Sequence, residues 1–182
     1  MNGRFALGAA LALAGCAAPH ARRLQNLEAT LSAQDSATAA LAQWCARQHI
    51  AEPAAIVAEA LPGTLAPSPE TRRLLAVGPD EPVAYRHVAL ACGRAVLSVA
   101  HNWYVPGRLT PAMNRTLETT RTPFGKAAAD TRFIRERLAA IEGRGEGCPA
   151  GTVLTHRALL HRAGDGAPIS LVVECYTRAI LR

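Results

Sequence analysis

Residues 83–91 and 95–105 are two apolar runs separated only by Cys92-Gly93-Arg94, and residues 153–161 and 169–180 repeat the arrangement around Gly164-Asp165-Gly166. An apolar run met by its like after a short Gly-containing connection turns back and pairs with it as a β-hairpin. Two hairpins separated by short helical stretches imply an antiparallel sheet with helices packed on one face, an α+β fold. At 182 residues the chain holds one domain of ordinary size.

The intervening segments fit that plan. Asp35 or Ser36 caps a helix over 36–49, with Leu41, Trp44 and Cys45 at helical spacing, and Pro53 ends it. Residues 54–61 read as either a strand or a helical turn, since Ile56 and Val57 favour the first and the alanines the second. Five prolines between 62 and 82 mark a loop with room for one helical turn at 70–75. Thr110-Pro111 opens a helix to about 118, broken by Thr122-Pro123-Phe124-Gly125. Residues 127–139 are open to either helix or a strand pair.

The chain begins with Arg4, an apolar stretch of about ten residues and then Leu13-Ala14-Gly15-Cys16. This is the layout of a secretory leader, and it is too short to span a bilayer, which takes about twenty residues. The last four residues resemble a bacterial lipobox, in which the cysteine thiol takes a diacylglyceryl group. The expected organisation is a leader over 1–15, a tether over 16–35 and a domain over 36–182. The expected location is the periplasmic face of a bacterial membrane, held there through lipid on Cys16. Cys45, Cys92, Cys148 and Cys175 remain, an even number that permits disulfides in an exported protein without choosing a pairing. Free buried thiols are the alternative.

The net charge of +6 invites a nucleic-acid reading, but the basic residues are scattered and nearly all arginine. Without a basic run interleaved with aromatics, no nucleic-acid partner is expected. No zinc-type Cys/His spacing, P-loop or GxGxxG occurs, so neither a metal nor another cofactor is expected.

Several short motifs follow one another in a particular order. Ser36-Ala37-Thr38 opens the early helix, and Tyr85-Arg86-His87-Val88-Ala89-Leu90 places an arginine in a strand. Val105-Pro106 ends a strand, Thr122-Pro123-Phe124-Gly125-Lys126 forms a loop, and Val172-Val173-Glu174-Cys175-Tyr176 places a glutamate in the last long strand. Across residues 36–178 this order resembles the chorismate pyruvate-lyase family. The resemblance implies a chorismate lyase-like fold and a pocket that takes chorismate, a small dicarboxylated ligand. A carbon–oxygen lyase of this kind eliminates pyruvate and leaves 4-hydroxybenzoate. In that reading Arg86 grips a carboxylate through its planar fork. Glu174 is the catalytic acid or base, and Phe124 walls the pocket at a position where the family has leucine.

The sequence departs from the family at Asn102, which stands where a second carboxylate-binding arginine is expected, and at Ala37, which replaces a larger lining residue. Asn102 is therefore a substrate-binding position with altered chemistry. The leader raises a second conflict, because chorismate is made and used in the cytoplasm. The alternative expectation is a non-catalytic, lipid-anchored periplasmic module that binds a small carboxylated ligand or a protein partner.

Overall fold

The computed structural model describes residues 17–181. Cys16, the expected lipidation site, and the leader before it lie outside the described residues. Six strands form one sheet: β1 (Ile56–Ala60), β2 (Ala84–Cys92), β3 (Ala95–Tyr104), β4 (Ile134–Glu142), β5 (Thr152–His161) and β6 (Pro168–Thr177). Their order is β1-β2-β3-β6-β5-β4, and every neighbouring pair is antiparallel. The fold is therefore α+β, with both hairpins where the apolar runs put them. The ambiguous 54–61 stretch forms strand β1, and β4 occupies the end of the 127–139 segment.

Side chains alternate between the faces of a strand. On the front face lie Arg86, Val88, Leu90 and Cys92 of β2, Ala100 and Asn102 of β3, and Val172, Glu174 and Tyr176 of β6. Helices α1 (Ala17–Ser32), α2 (Ala37–Arg47), α4 (Pro111–Thr119) and α5 (Phe124–Ala127) cover this face. Two clusters fill the space beneath them. One joins Leu27, Leu41, Trp44, Val88, Leu90 and Tyr176, and the other joins Met113, Leu117, Phe124, Phe133, Leu160 and Val172. The Trp44 indole donates to Ile180 O at 3.0 Å, so the ring is buried with its polar edge satisfied.

The local reasons are those read from the sequence. Ser36 caps α2 by accepting from Ala39 N, and Thr110 caps α4 by accepting from Met113 N, with Pro111 in its first turn. The six-residue α3 (Pro69–Leu74) lies on the other, back face, where Leu74 and Leu75 pack with Trp103 and Leu171.

The stretch read as a tether with room for some helix is helical over most of its length. Residues 17–32 are helical, and Leu27 and Leu31 of α1 are buried against the sheet. Each buried leucine contributes roughly 2 kcal/mol, enough to keep a helix of this length docked. Glu28 of α1 also meets Arg137 at 2.6 Å and His156 at 2.7 Å.

The four cysteines form two disulfides, Cys45–Cys92 and Cys148–Cys175. The first ties α2 to β2 on the front, and the second ties the 143–151 loop to β6 on the back. Among the described residues no helix is long and apolar enough to cross a membrane.

Candidate functional site

The front face holds a small cavity between the start of α2, the loop leading into α5 and the central strands. Arg86, Asn102, Phe124 and Glu174 all line it, together with Ser36, Thr38, Phe133 and Arg135. The structure thus brings all four expected pocket residues to one place. Strand alternation puts Arg86, Asn102 and Glu174 on the same face, and the register pairs Arg86 directly with Asn102.

Phe124 is 8% exposed and forms the wall, tilted against Tyr104 with ring centres 5.8 Å apart. Gly125 beside it is fixed by close approach. A Cβ at this position would run into Ser36 Oγ and come within 3.0 Å of Thr38 Oγ1. The Thr-Pro-Phe-Gly-Lys loop therefore lies directly against the N-terminus of α2, whose first backbone N–H groups favour negative charge.

Glu174 is not a free acid. Arg135 Nη1 donates to its Oε1 at 3.3 Å, Nη2 donates to its Oε2, and the Tyr176 hydroxyl donates to Oε2 at 2.9 Å. Both members of the ion pair are under a tenth exposed. Burial pushes the Tyr176 hydroxyl well above its ordinary value, and the neighbouring Glu174 charge pushes the same way, so the phenol stays protonated and donates. Burial works against the Arg135 charge, but Glu174 and Tyr176 outweigh it and hold the guanidinium above its ordinary value. Glu174, expected as the catalytic acid or base, is thus found in a buried ion pair with Arg135 and a hydrogen bond from Tyr176.

Arg135 was missed in the sequence. It lies in a segment open to helix or strand, and its partner is 39 residues away. The one available signal was Arg-Glu-Arg at 135–137 in a stretch that could form a strand.

Asn102 is 4% exposed, and its carboxamide oxygen accepts from Ser170 Oγ at 2.5 Å. It replaces a charge with a satisfied neutral group. Arg86 differs from Arg135. It donates only to Thr122 O, at 3.3 and 3.4 Å, and among the described residues it has no acidic partner. Burial lowers its pKa and the nearby Tyr104 raises it. An arginine nonetheless stays charged at any ordinary pH.

The cavity volume is about 40 Å³. That admits water or a very small anion, whereas ligands of ring size occupy pockets of roughly 300 Å³ or more. Among the described residues no group of three or more His, Cys, Asp or Glu is placed to hold a metal.

No protein-family model matches the chain. It is 41% identical over 178 residues to the uncharacterized protein y4mC of Sinorhizobium fredii, an alignment that covers 87% of this chain and 75% of y4mC. Among solved structures, the effector domain of PhnF from Mycobacterium smegmatis superposes with a TM-score of 0.53. The identity is 13%, and the match covers 79% of this chain and 88% of that domain. Whole PhnF gives the same score and identity, with 64% of its length covered. The possible transcriptional regulator YydK from Bacillus subtilis gives 0.49 at 16% identity, over 67% of this chain and 57% of that one. The chain thus spans less than two thirds of YydK and of whole PhnF.

The fold is the chorismate lyase-like α+β fold, shared with the effector domain of PhnF. The lyase expectation is corrected by the PhnF comparison, in which this fold serves as an effector domain. The neutralised Glu174 and the narrow cavity agree with that correction. The comparisons give no support to the lipoprotein leader read from the sequence.

Proposed function

The chain belongs to the family of Sinorhizobium fredii y4mC, and on that premise we propose that it is a non-catalytic binding domain whose front cavity takes a small organic anion. The observation that carries this is Arg86, a part-buried guanidinium that lines the cavity and has no acidic partner among the described residues. The other arginine of the cavity is already neutralised by Glu174. With Asn102 in place of a second free cation, one carboxylate is matched and two are not. The preferred ligand is therefore a monoanion, gripped by the Arg86 fork and aided by the N-terminus of α2. A ring-sized ligand would enter only if Phe124 and Phe133 swing aside. PhnF, whose effector domain has this fold, supports a binding role by analogy alone.

The domain is further proposed to act outside the cytoplasm. Two disulfides in one small domain suit an oxidising compartment. The leader layout ending at Cys16 points the same way, with the membrane as its partner through that residue.

Calorimetric titration of the chain with acetate, benzoate and malonate tests the reading. We expect a monocarboxylate to bind and Arg86→Ala to abolish the signal while leaving the fold unchanged. Arg86→Lys should rescue little, because an ammonium lacks the fork. Equal binding by wild type and Arg86→Ala would remove the proposal. Incubation with chorismate is expected to yield no 4-hydroxybenzoate.

A further inference from the structure

The back face carries a second cavity, of about 430 Å³, ten times the volume of the front one. It lies between the 62–68 loop with α3 and the 143–151 loop. Its floor is β3, β5 and β6, where Trp103, Leu171 and Val173 present ring and aliphatic surface.

A row of rings leads into it. His87 and His101 stack with centres 4.5 Å apart and planes 9° from parallel, and His101 and Trp103 follow at 6.1 Å and 24°. The row is held in place from both sides. The Trp103 indole donates to Leu65 O at 2.9 Å, Tyr85 Oη lies 2.7 Å from His101 Nδ1, and His101 Nε2 lies 3.2 Å from Gly147 O. The ring nitrogens nearest the cavity are thus occupied, and Trp103, only 7% exposed, is fixed as a wall. What the row offers a ligand is the small uncovered part of Trp103 together with the half-buried His101 ring beside it.

The charges at the rim have a definite sign. Glu70, Glu146 and Arg157 are the rim groups charged at neutral pH. Arg157 is spoken for by Glu70 at 2.9 Å, and Glu146 has no ionic partner among the described residues. Burial, and next the adjacent His87, lower the His101 pKa, so this imidazole brings no positive charge at neutral pH. In a chain of net charge +6 the rim is therefore left with one unpaired negative charge, Glu146, while Arg73 adds its field to that of Arg157 at Glu70.

We propose that the back cavity is a binding site for a small organic cation with an apolar or aromatic body, seated against Trp103 and balanced by Glu146. Cations are drawn to the face of an indole more strongly than to other rings, and desolvation by a walled cavity strengthens the attraction. The cavity is large enough for a ligand of ring size. Neither the fold nor the front cavity requires this arrangement, so the site stands or falls independently of the anion proposal.

The test uses the full chain and two probes of similar shape and opposite charge, benzyltrimethylammonium and phenylacetate. The Trp103 indole N–H signal is followed by nuclear magnetic resonance during titration, with self-association monitored by sedimentation. We expect the cation to shift that signal saturably and phenylacetate to leave it unmoved. Glu146→Gln, on an exposed loop where the fold is safe, should weaken the cation about three- to tenfold. Equal binding of both probes would reduce the site to an apolar hollow and overturn the proposal. Cation binding unaffected by Glu146→Gln overturns it as well. So does the absence of a saturable shift, including the case where sedimentation shows a second copy of the chain burying Trp103.

Discussion

The front face of the sheet keeps its charges buried and paired, while the back face keeps its charges at the rim and its rings along the floor. Arg135 and Glu174 on the front are each under a tenth exposed, whereas Glu70 and Arg157 on the back are 51% and 31% exposed. Neighbouring residues of one strand can serve both faces, as His156 and Arg157 of β5 do. Water makes the difference: a charge pair removed from it must be complete to be tolerated, and a pair left in it contributes little whether complete or not. The front thus has a fixed electrostatic pattern with one unmatched cation, and the back has an open, adaptable one.

That contrast can be broken most directly through Glu174. Glu174→Ala leaves Arg135 buried without its partner and should cost about 4 kcal/mol in denaturant unfolding. Glu70→Gln on the back should leave the midpoint unchanged. If the two variants unfold alike, the front pair is solvated and the contrast fails.

The disulfides give the next largest effect, and here the faces should behave similarly. Replacing Cys148 and Cys175 together by serine frees a loop of 27 residues and should cost about 3 kcal/mol on chain-entropy grounds. The Cys45 and Cys92 replacement frees 47 residues and should cost slightly more. Thermal melts of both double variants measure the pair. A loss confined to one of them would show that only one face depends on its staple.

A smaller effect comes from pH. Burial holds His156 on the front below the ordinary histidine value, against the opposing pull of Glu174 and Glu28. The unfolded chain takes the proton near pH 6.5, and the folded chain only at lower pH. Stability from this group is therefore complete above about pH 6.5 and declines as the pH falls below it. His101 on the back is shifted in the same direction by burial and His87, but from a more open position. Urea midpoints at pH 8 and pH 5.5 should converge more in His156→Gln than in His101→Gln. The reverse order would mean that the back face is the drier one.

The sheet was legible in the sequence because strand pairing follows from local features: long apolar runs and a glycine in each connection. The cavity residues Arg86, Asn102, Phe124 and Glu174 were legible through the resemblance to the chorismate lyase family, which implies a shared pocket for them, and not through periodicity. What escaped was everything set by distance along the chain. Arg135 meets Glu174 only after β5 and β6 have paired, and nothing near Arg135 announces it. The docking of α1 escaped because Leu27 and Leu31 sit among alanines and polar residues that read equally well as a tether. The back cavity escaped because His87, His101 and Trp103 are unremarked aromatics until β2 and β3 align them. The partners of Glu174 escaped for the same reason, since Arg135 meets it only across the assembled sheet.

Along β6 the residues alternate between the two faces as Val172, Val173, Glu174 and Cys175. A slip of β6 by a single residue would turn Glu174 away from Arg135 and turn Cys175 away from Cys148 at the same stroke. The Cys148–Cys175 bond can therefore close only on a correctly aligned sheet. The bond thus reports on strand register, because a one-residue slip leaves both thiols unpaired.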